Sequence, residues 1–197
     1  APVVFDDPSL EGAWRPENYS GKFFGPTRLR YALTKSRNLV SIRLLRSMGV
    51  EAAVRHIAKF GFDPEALPKN LSLALGSADV TPLQMAAGYA VLANGGYRVE
   101  PYFIERIAIE GGETLFEANP LRVCPDCEDV LTTGDTGAIP ASFATEPDRR
   151  AGEETPVVHP APRVIDPRNR FLMYSMLQDV VQSGTATKAR ELGRKDI

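Results

Sequence analysis

Few residues in this chain are equipped for chemistry. Ser36-Arg37-Asn38 sets a hydroxyl and a carboxamide two positions apart, groups that both donate and accept hydrogen bonds. Alone, the triplet has two readings. It is a polar joint between helical stretches, with Ser36 or Asn38 capping the second helix, or it is a catalytic pair. Cys124 and Cys127 form a lone C-x-x-C, which cannot build a disulfide framework and supplies only half of a four-thiolate zinc site. The two histidines are isolated: His56 falls in a helical stretch as a surface or edge residue, and His159 lies among prolines with no visible acid partner.

The elements that must position these groups follow from periodicity and breakers. Thr27 opens a helical stretch with Leu29, Ala32 and Leu33 at helical spacing, and Lys35-Ser36-Arg37-Asn38 breaks it. A second helix is predicted from Leu39 to Met48, with Leu39, Ile42, Leu44 and Leu45 as its apolar face and Gly49 as its stop. A third covers 51–60, ended by Gly61 and Pro64. Thr81 caps the clearest helix, Pro82 fits its first turn, and Asn94-Gly95-Gly96 ends it. Its interior, LQMAAGYAVLA, is almost wholly apolar, which predicts burial on most sides. Residues 102–109 and 113–118 alternate around Gly111-Gly112, a hairpin pattern. Near the N-terminus, Val3–Phe5 reads as a short strand.

From 119 to 163 no period is sustained, and seven of the chain's 16 prolines fall here, so this stretch is predicted to be a long loop or insertion. Arg149-Arg150 and Glu153-Glu154 within it read as a solvated charged loop. Asp166-Pro167 then introduces a helix from Arg168 to Gln182, with Phe171, Met173, Met176, Leu177, Val180 and Val181 as its apolar set. The chain of 197 residues is 43% hydrophobic and carries a net charge of −2, an ordinary globular balance with no basic field for nucleic acid. No apolar run is long enough to span a bilayer.

The stretch Trp14-Arg15-Pro16-Glu17-Asn18-Tyr19, followed by Gly25-Pro26-Thr27-Arg28-Leu29-Arg30-Tyr31-Ala32-Leu33-Thr34-Lys35-Ser36-Arg37-Asn38, resembles the second-motif region of class A penicillin-binding proteins. The resemblance continues through Leu73-Ala74-Leu75-Gly76-Ser77, Val80-Thr81-Pro82-Leu83 and Tyr89-Ala90-Val91-Leu92-Ala93-Asn94-Gly95-Gly96. Val180-Val181-Gln182-Ser183-Gly184-Thr185-Ala186 looks like the stretch that family carries shortly before its third motif. It implies an α/β fold of the penicillin-binding-protein and serine β-lactamase type, of which this chain holds mostly the helical part plus a β-hairpin. Residues 1–118 would be the central part of the transpeptidase domain, 119–163 an insertion, and 164–197 the approach to the third motif.

On that resemblance Ser36 relays a proton to the leaving amine, and Asn38 binds the substrate backbone and orients a catalytic lysine; Arg37 points away from the nucleophile. That family carries S-x-x-K, S-x-N and K-T-G motifs. Here no serine has lysine three positions on, and no Lys-Thr-Gly or Lys-Ser-Gly occurs. The nucleophile is therefore expected upstream of Ala1, and the third motif beyond Ile197. The implied activity is peptidoglycan D,D-transpeptidation through an acyl-serine, with a glycosyltransferase domain and membrane anchor outside these residues, at the periplasmic face of the inner membrane. Its ligands would be peptidoglycan stem peptides ending in D-Ala-D-Ala and the β-lactams that mimic them. The remaining segments of the same domain would be its partners, with no nucleic acid and no cofactor or metal. In an oxidising compartment Cys124 and Cys127 would pair as a disulfide; two unconnected loop thiols, a metal site recruiting His159 and a fourth ligand, and a redox pair are the alternatives. A serine β-lactamase-like hydrolase and a non-catalytic penicillin or peptide sensor are the rival functions.

Overall fold

The computed structural model of the chain describes residues 4–6, 13–124 and 159–193. Strand β1 (Phe5–Asp6) pairs antiparallel with β2 (Ala13–Trp14), with Phe5 opposite Trp14. The expected strand at Val3–Phe5 is observed one to two residues later, overlapping it at Phe5, where its partner at Ala13–Trp14 sets the register. Three helices follow: α1 (Leu29–Thr34), α2 (Asn38–Met48) and α3 (Val50–Ala58). Gly49 joins α2 to α3 at φ +87°, a conformation that costs glycine little. Leu39, Ile42 and Leu45 on α2 are buried, and Trp14, Leu71 and Ala74 pack against Leu39 and Ile42. Leu44, expected on the same face, is exposed instead; one position before Leu45, it turns about 100° away from the core.

A 3₁₀ turn (Leu71–Leu75) lies against α2, its entry fixed by the Asn70 side chain accepting from the Ser72 backbone N–H at 3.1 Å. Helix α4 (Pro82–Ala93) begins with a complete capping box: Thr81 Oγ1 accepts from the Gln84 N–H, and Gln84 Oε1 accepts from the Thr81 N–H. Burial of α4 on most sides is not observed. Only Gly88 and Val91 are buried, while Leu83, Met85 and Tyr89 are exposed. An all-round apolar helix is buried only where neighbours exist on every side; the described residues bring Phe62 over Gly88 and Arg170 of the late helix to the Leu92 carbonyl, and leave Leu83, Met85 and Tyr89 uncovered.

Strands β3 (Arg106–Ala108) and β4 (Thr114–Glu117) form the expected hairpin, with Ile107 opposite Phe116 and an irregularity after Ile107. Both faces of it are exposed. The stretch 119–163 is described at its two ends, and those ends are pinned together. The Arg122 N–H donates to the His159 carbonyl at 2.8 Å, and the Ala161 N–H donates to the Arg122 carbonyl at 2.7 Å. Tyr97 bridges Arg163, and Ala161 and Ile165 are core residues. Arg149-Arg150 and Glu153-Glu154 lie outside the described residues.

The two described ends of the stretch are paired with each other, which motivates a test of the residues between them. Replacing residues 128–156 by a short Gly/Ser linker is expected to shift the thermal midpoint by less than ~2 °C. A scanning-calorimetry drop well beyond that would show that the replaced residues carry core packing.

The last helix, α5 (Pro167–Ser183), is capped by Asp166, whose carboxylate accepts from the Arg168 and Asn169 N–H groups. It packs on α1 and α4, and a second 3₁₀ turn (Thr187–Leu192) follows it. Arg30 of α1 donates to Asp179 at 2.8 Å and to Ser175 at 2.9 Å, and Arg170 Nε donates to the Leu92 carbonyl at the C-terminus of α4 at 2.8 Å. No described helix is long and apolar enough to cross a membrane.

Candidate active site

Ser36-Arg37-Asn38 is the joint between α1 and α2, and each residue of it has a separate backbone role. The Ser36 N–H donates to Leu33 O at 3.0 Å and the Arg37 N–H to Ala32 O at 2.9 Å. That pair of bonds is a Schellman ending for α1, with Ser36 at the position where glycine is favoured. Ser36 accordingly has φ +49°, and among the described residues it is the one non-glycine with positive φ. Such a conformation costs an L-residue about 1–2 kcal/mol. Arg37 is the N-cap of α2 and Asn38 its first residue.

Neither Ser36 nor Asn38 caps α2 through its side chain, so the polar-joint reading fails in its stated form. Instead Asn18, from the Trp14–Tyr19 block, reaches across. Its Oδ1 accepts from the Leu39 N–H at 3.2 Å, and its Nδ2 donates to Lys22 O at 2.8 Å. Asn18 is buried, and a buried carboxamide needs such partners. Asn38 Nδ2 donates to the Glu17 carbonyl at 3.0 Å. The block before the helices thus cradles the start of α2. Ser36 is exposed, and Asn38 is half-buried.

Arg37 turns toward Phe24, its guanidinium 3.5 Å from the ring centroid. Its Nε is buried and makes no hydrogen bond to a described residue. On the other side of the joint, Lys35 Nζ donates to Ser183 O at 2.5 Å, and Gly184 lies directly against the Thr34 carbonyl. An open cleft of about 570 Å³ runs along the seam of α1 and α5, lined by Phe24, Arg30, Tyr31, Thr34, Asp179 and Ser183.

Other candidate residues stand apart from this joint. His56 is exposed on α3 and meets Phe60 edge-on at 5.6 Å. His159 is exposed, and its carbonyl serves Arg122. Cys124 is disulfide-bonded, and Cys127 lies outside the described residues. Among the described residues no group of three or more His, Cys, Asp or Glu side chains could hold a metal ion. Three residues at the site were missed from sequence: Asn18, Phe24 and Gly184. Asn18 and Gly184 stand only inside blocks that carry the family resemblance, with no role assigned, and Phe24 carries no local pattern.

The arrangement of α1, α2, α4 and α5 beside a small antiparallel hairpin, with the serine joint between two helices, is the helical part of a transpeptidase fold. Residues 4–195 match the family model described as the penicillin binding protein transpeptidase domain, and the chain belongs to that family. It is 45% identical to penicillin-binding protein 1A of Pseudomonas aeruginosa over 212 residues, an alignment spanning all of this chain and 25% of that protein. Penicillin-binding protein 1A of Neisseria flavescens is 39% identical over 198 residues, again across the whole chain and 21% of the relative. A crystal structure of penicillin-binding protein 1A from Haemophilus influenzae superposes with a TM-score of 0.76 at 33% identity, covering 95% of this chain and 28% of that one. The chain therefore spans about a quarter of the length of these relatives.

Proposed function

We propose that this chain is the stretch of a peptidoglycan D,D-transpeptidase that supplies its second motif, and that the full-length protein is acylated by β-lactams. The attacking serine and the third motif would come from other segments of that protein. Attack by the nucleophile's Oγ on the penultimate D-Ala carbonyl forms an ester and expels the terminal D-Ala as an amine, which must gain a proton. Ser36 passes that proton through its hydroxyl. Asn38 binds the peptide backbone and orients the catalytic lysine. The disulfide at Cys124 is closed by Cys127. By the same reading the full-length protein is membrane-anchored, works on the periplasmic side, and carries a peptidoglycan glycosyltransferase.

One observation carries the assignment of Ser36: a serine occupies a left-handed position where glycine would be more stable. Strain of about 1–3 kcal/mol persisting at one residue points to use of its side chain. The test is covalent labelling with a fluorescent penicillin, read by gel and by intact mass. The full-length protein should form a stoichiometric adduct, and the isolated chain of 197 residues should form none. An adduct on the isolated chain would place the nucleophile within these residues and overturn the reading.

A further inference from the structure

The serine joint is supported from below by an aromatic ring that no motif includes. Phe24 lies upstream of α1, outside the triplet, and its ring sits 3.5 Å beneath the Arg37 guanidinium. Arg37 is at once the residue after Ser36 in the Schellman ending and the N-cap of α2. Fixing its side chain therefore fixes the peptide that follows Ser36 and the one that precedes Asn38. Arg37 Nε is buried and makes no hydrogen bond to a described residue, and the ring is a close partner of the guanidinium face.

We propose that Phe24 is a positioning residue for the second motif. By stacking on Arg37 it holds Ser36 in its left-handed conformation and Asn38 in the orientation seen here. This inference rests on Ser36 acting as the proton relay. A serine with φ +49° returns to commoner backbone regions unless its neighbours prevent it, and misplacing a reacting group by about 1 Å costs on the order of 10²-fold in rate. The contact is partly exposed, so a smaller effect is expected here. The ring of Phe24 also lines the α1–α5 cleft, so the same side chain links the joint to the open surface beside it.

The experiment compares the full-length protein with its Phe24→Leu, Phe24→Tyr, Arg37→Gln and Ser36→Ala variants. Second-order acylation by a fluorescent penicillin is measured below the melting transition. Phe24→Leu keeps the apolar bulk and removes the ring; it should slow acylation about tenfold with little change in melting midpoint. Phe24→Tyr keeps the ring and should restore the rate to within about twofold. Arg37→Gln removes the cation and should match Phe24→Leu, and the double variant should be no slower than either single one. If Ser36→Ala slows acylation but Phe24→Leu and Arg37→Gln do not, the positioning role is overturned and the relay stands. Equal slowing by Phe24→Leu and Phe24→Tyr would also overturn it, since packing rather than the ring would then be at issue. An unchanged rate in Ser36→Ala would remove the relay and this inference together.

Discussion

Ser36→Ala in the full-length protein is expected to slow acylation by penicillin by ~10²–10⁴-fold, the usual cost of removing a participant in proton transfer. Fold and melting midpoint should be nearly unchanged, because the Ser36 side chain does not cap α2 and the residue is exposed. Ser36→Gly sharpens the distinction between chemistry and structure. Glycine accepts φ +49° freely, so this variant should gain about 0.5–1 kcal/mol of stability while losing as much rate as the alanine variant. A serine without a chemical role predicts the same gain in stability from glycine but no change in acylation. Asn38→Ala should also lose rate, with a modest stability cost from the bond to the Glu17 carbonyl. The measurements are stopped-flow or gel-based acylation kinetics and thermal unfolding of the same preparations.

How much of this site was legible in the sequence differs residue by residue. The helix boundaries were, to within about two residues, because caps and breakers act locally: Thr81 with Gln84, Asp166 with Pro167, Gly49 between α2 and α3. The hairpin was too, through Gly111 and Gly112, both at positive φ. The role of Ser36 in the backbone was not legible. A left-handed serine has no compositional mark, and the Schellman ending becomes visible only when Ala32 and Leu33 are seen to accept the bonds. Asn18 was quoted within a block that carries the family resemblance, yet nothing local shows that it caps a helix 21 residues away. Long-range capping and stacking, as with Phe24 and Arg37, depend on where the chain returns. For α4 the error ran the other way. Its interior is apolar as read, but burial depends on neighbours, and among the described residues of α4 only Gly88 and Val91 are buried.

Gly184→Ala is expected to produce the largest combined loss of stability and rate among single small substitutions in this chain. The C-terminus of α5 meets the C-terminus of α1 here. A Cβ at Gly184 would lie against the Thr34 carbonyl, within 2.6 Å of Val180 O and 2.7 Å of Val180 Cα. All three are backbone atoms, so no flexible side chain can swing aside. Backbone preference is not the obstacle, because the Gly184 φ of −102° is open to any residue. Restoring ordinary contact with the Thr34 carbonyl at about 3.4 Å requires the two helix ends to separate by roughly 1 Å, and the Val180 contacts, which lie within α5 itself, require its last turn to shift as well. Overpacking of this kind costs about 1–3 kcal/mol, and more where only backbone can move. Thr34 is buried two residues before Ser36, and Lys35 is bonded to Ser183 O, so the displacement passes directly into the serine joint. Acylation of the folded variant should therefore fall by about 10-fold to 10²-fold. Ser183→Ala is the control: the residue is exposed, its hydroxyl makes only a 3.3 Å bond within its own helix, and its effect should stay within about 0.5 kcal/mol. Thermal unfolding and acylation measured on both variants decide the matter. A Gly184→Ala protein as stable and as fast as Ser183→Ala would show that α1 and α5 do not approach this closely at the site.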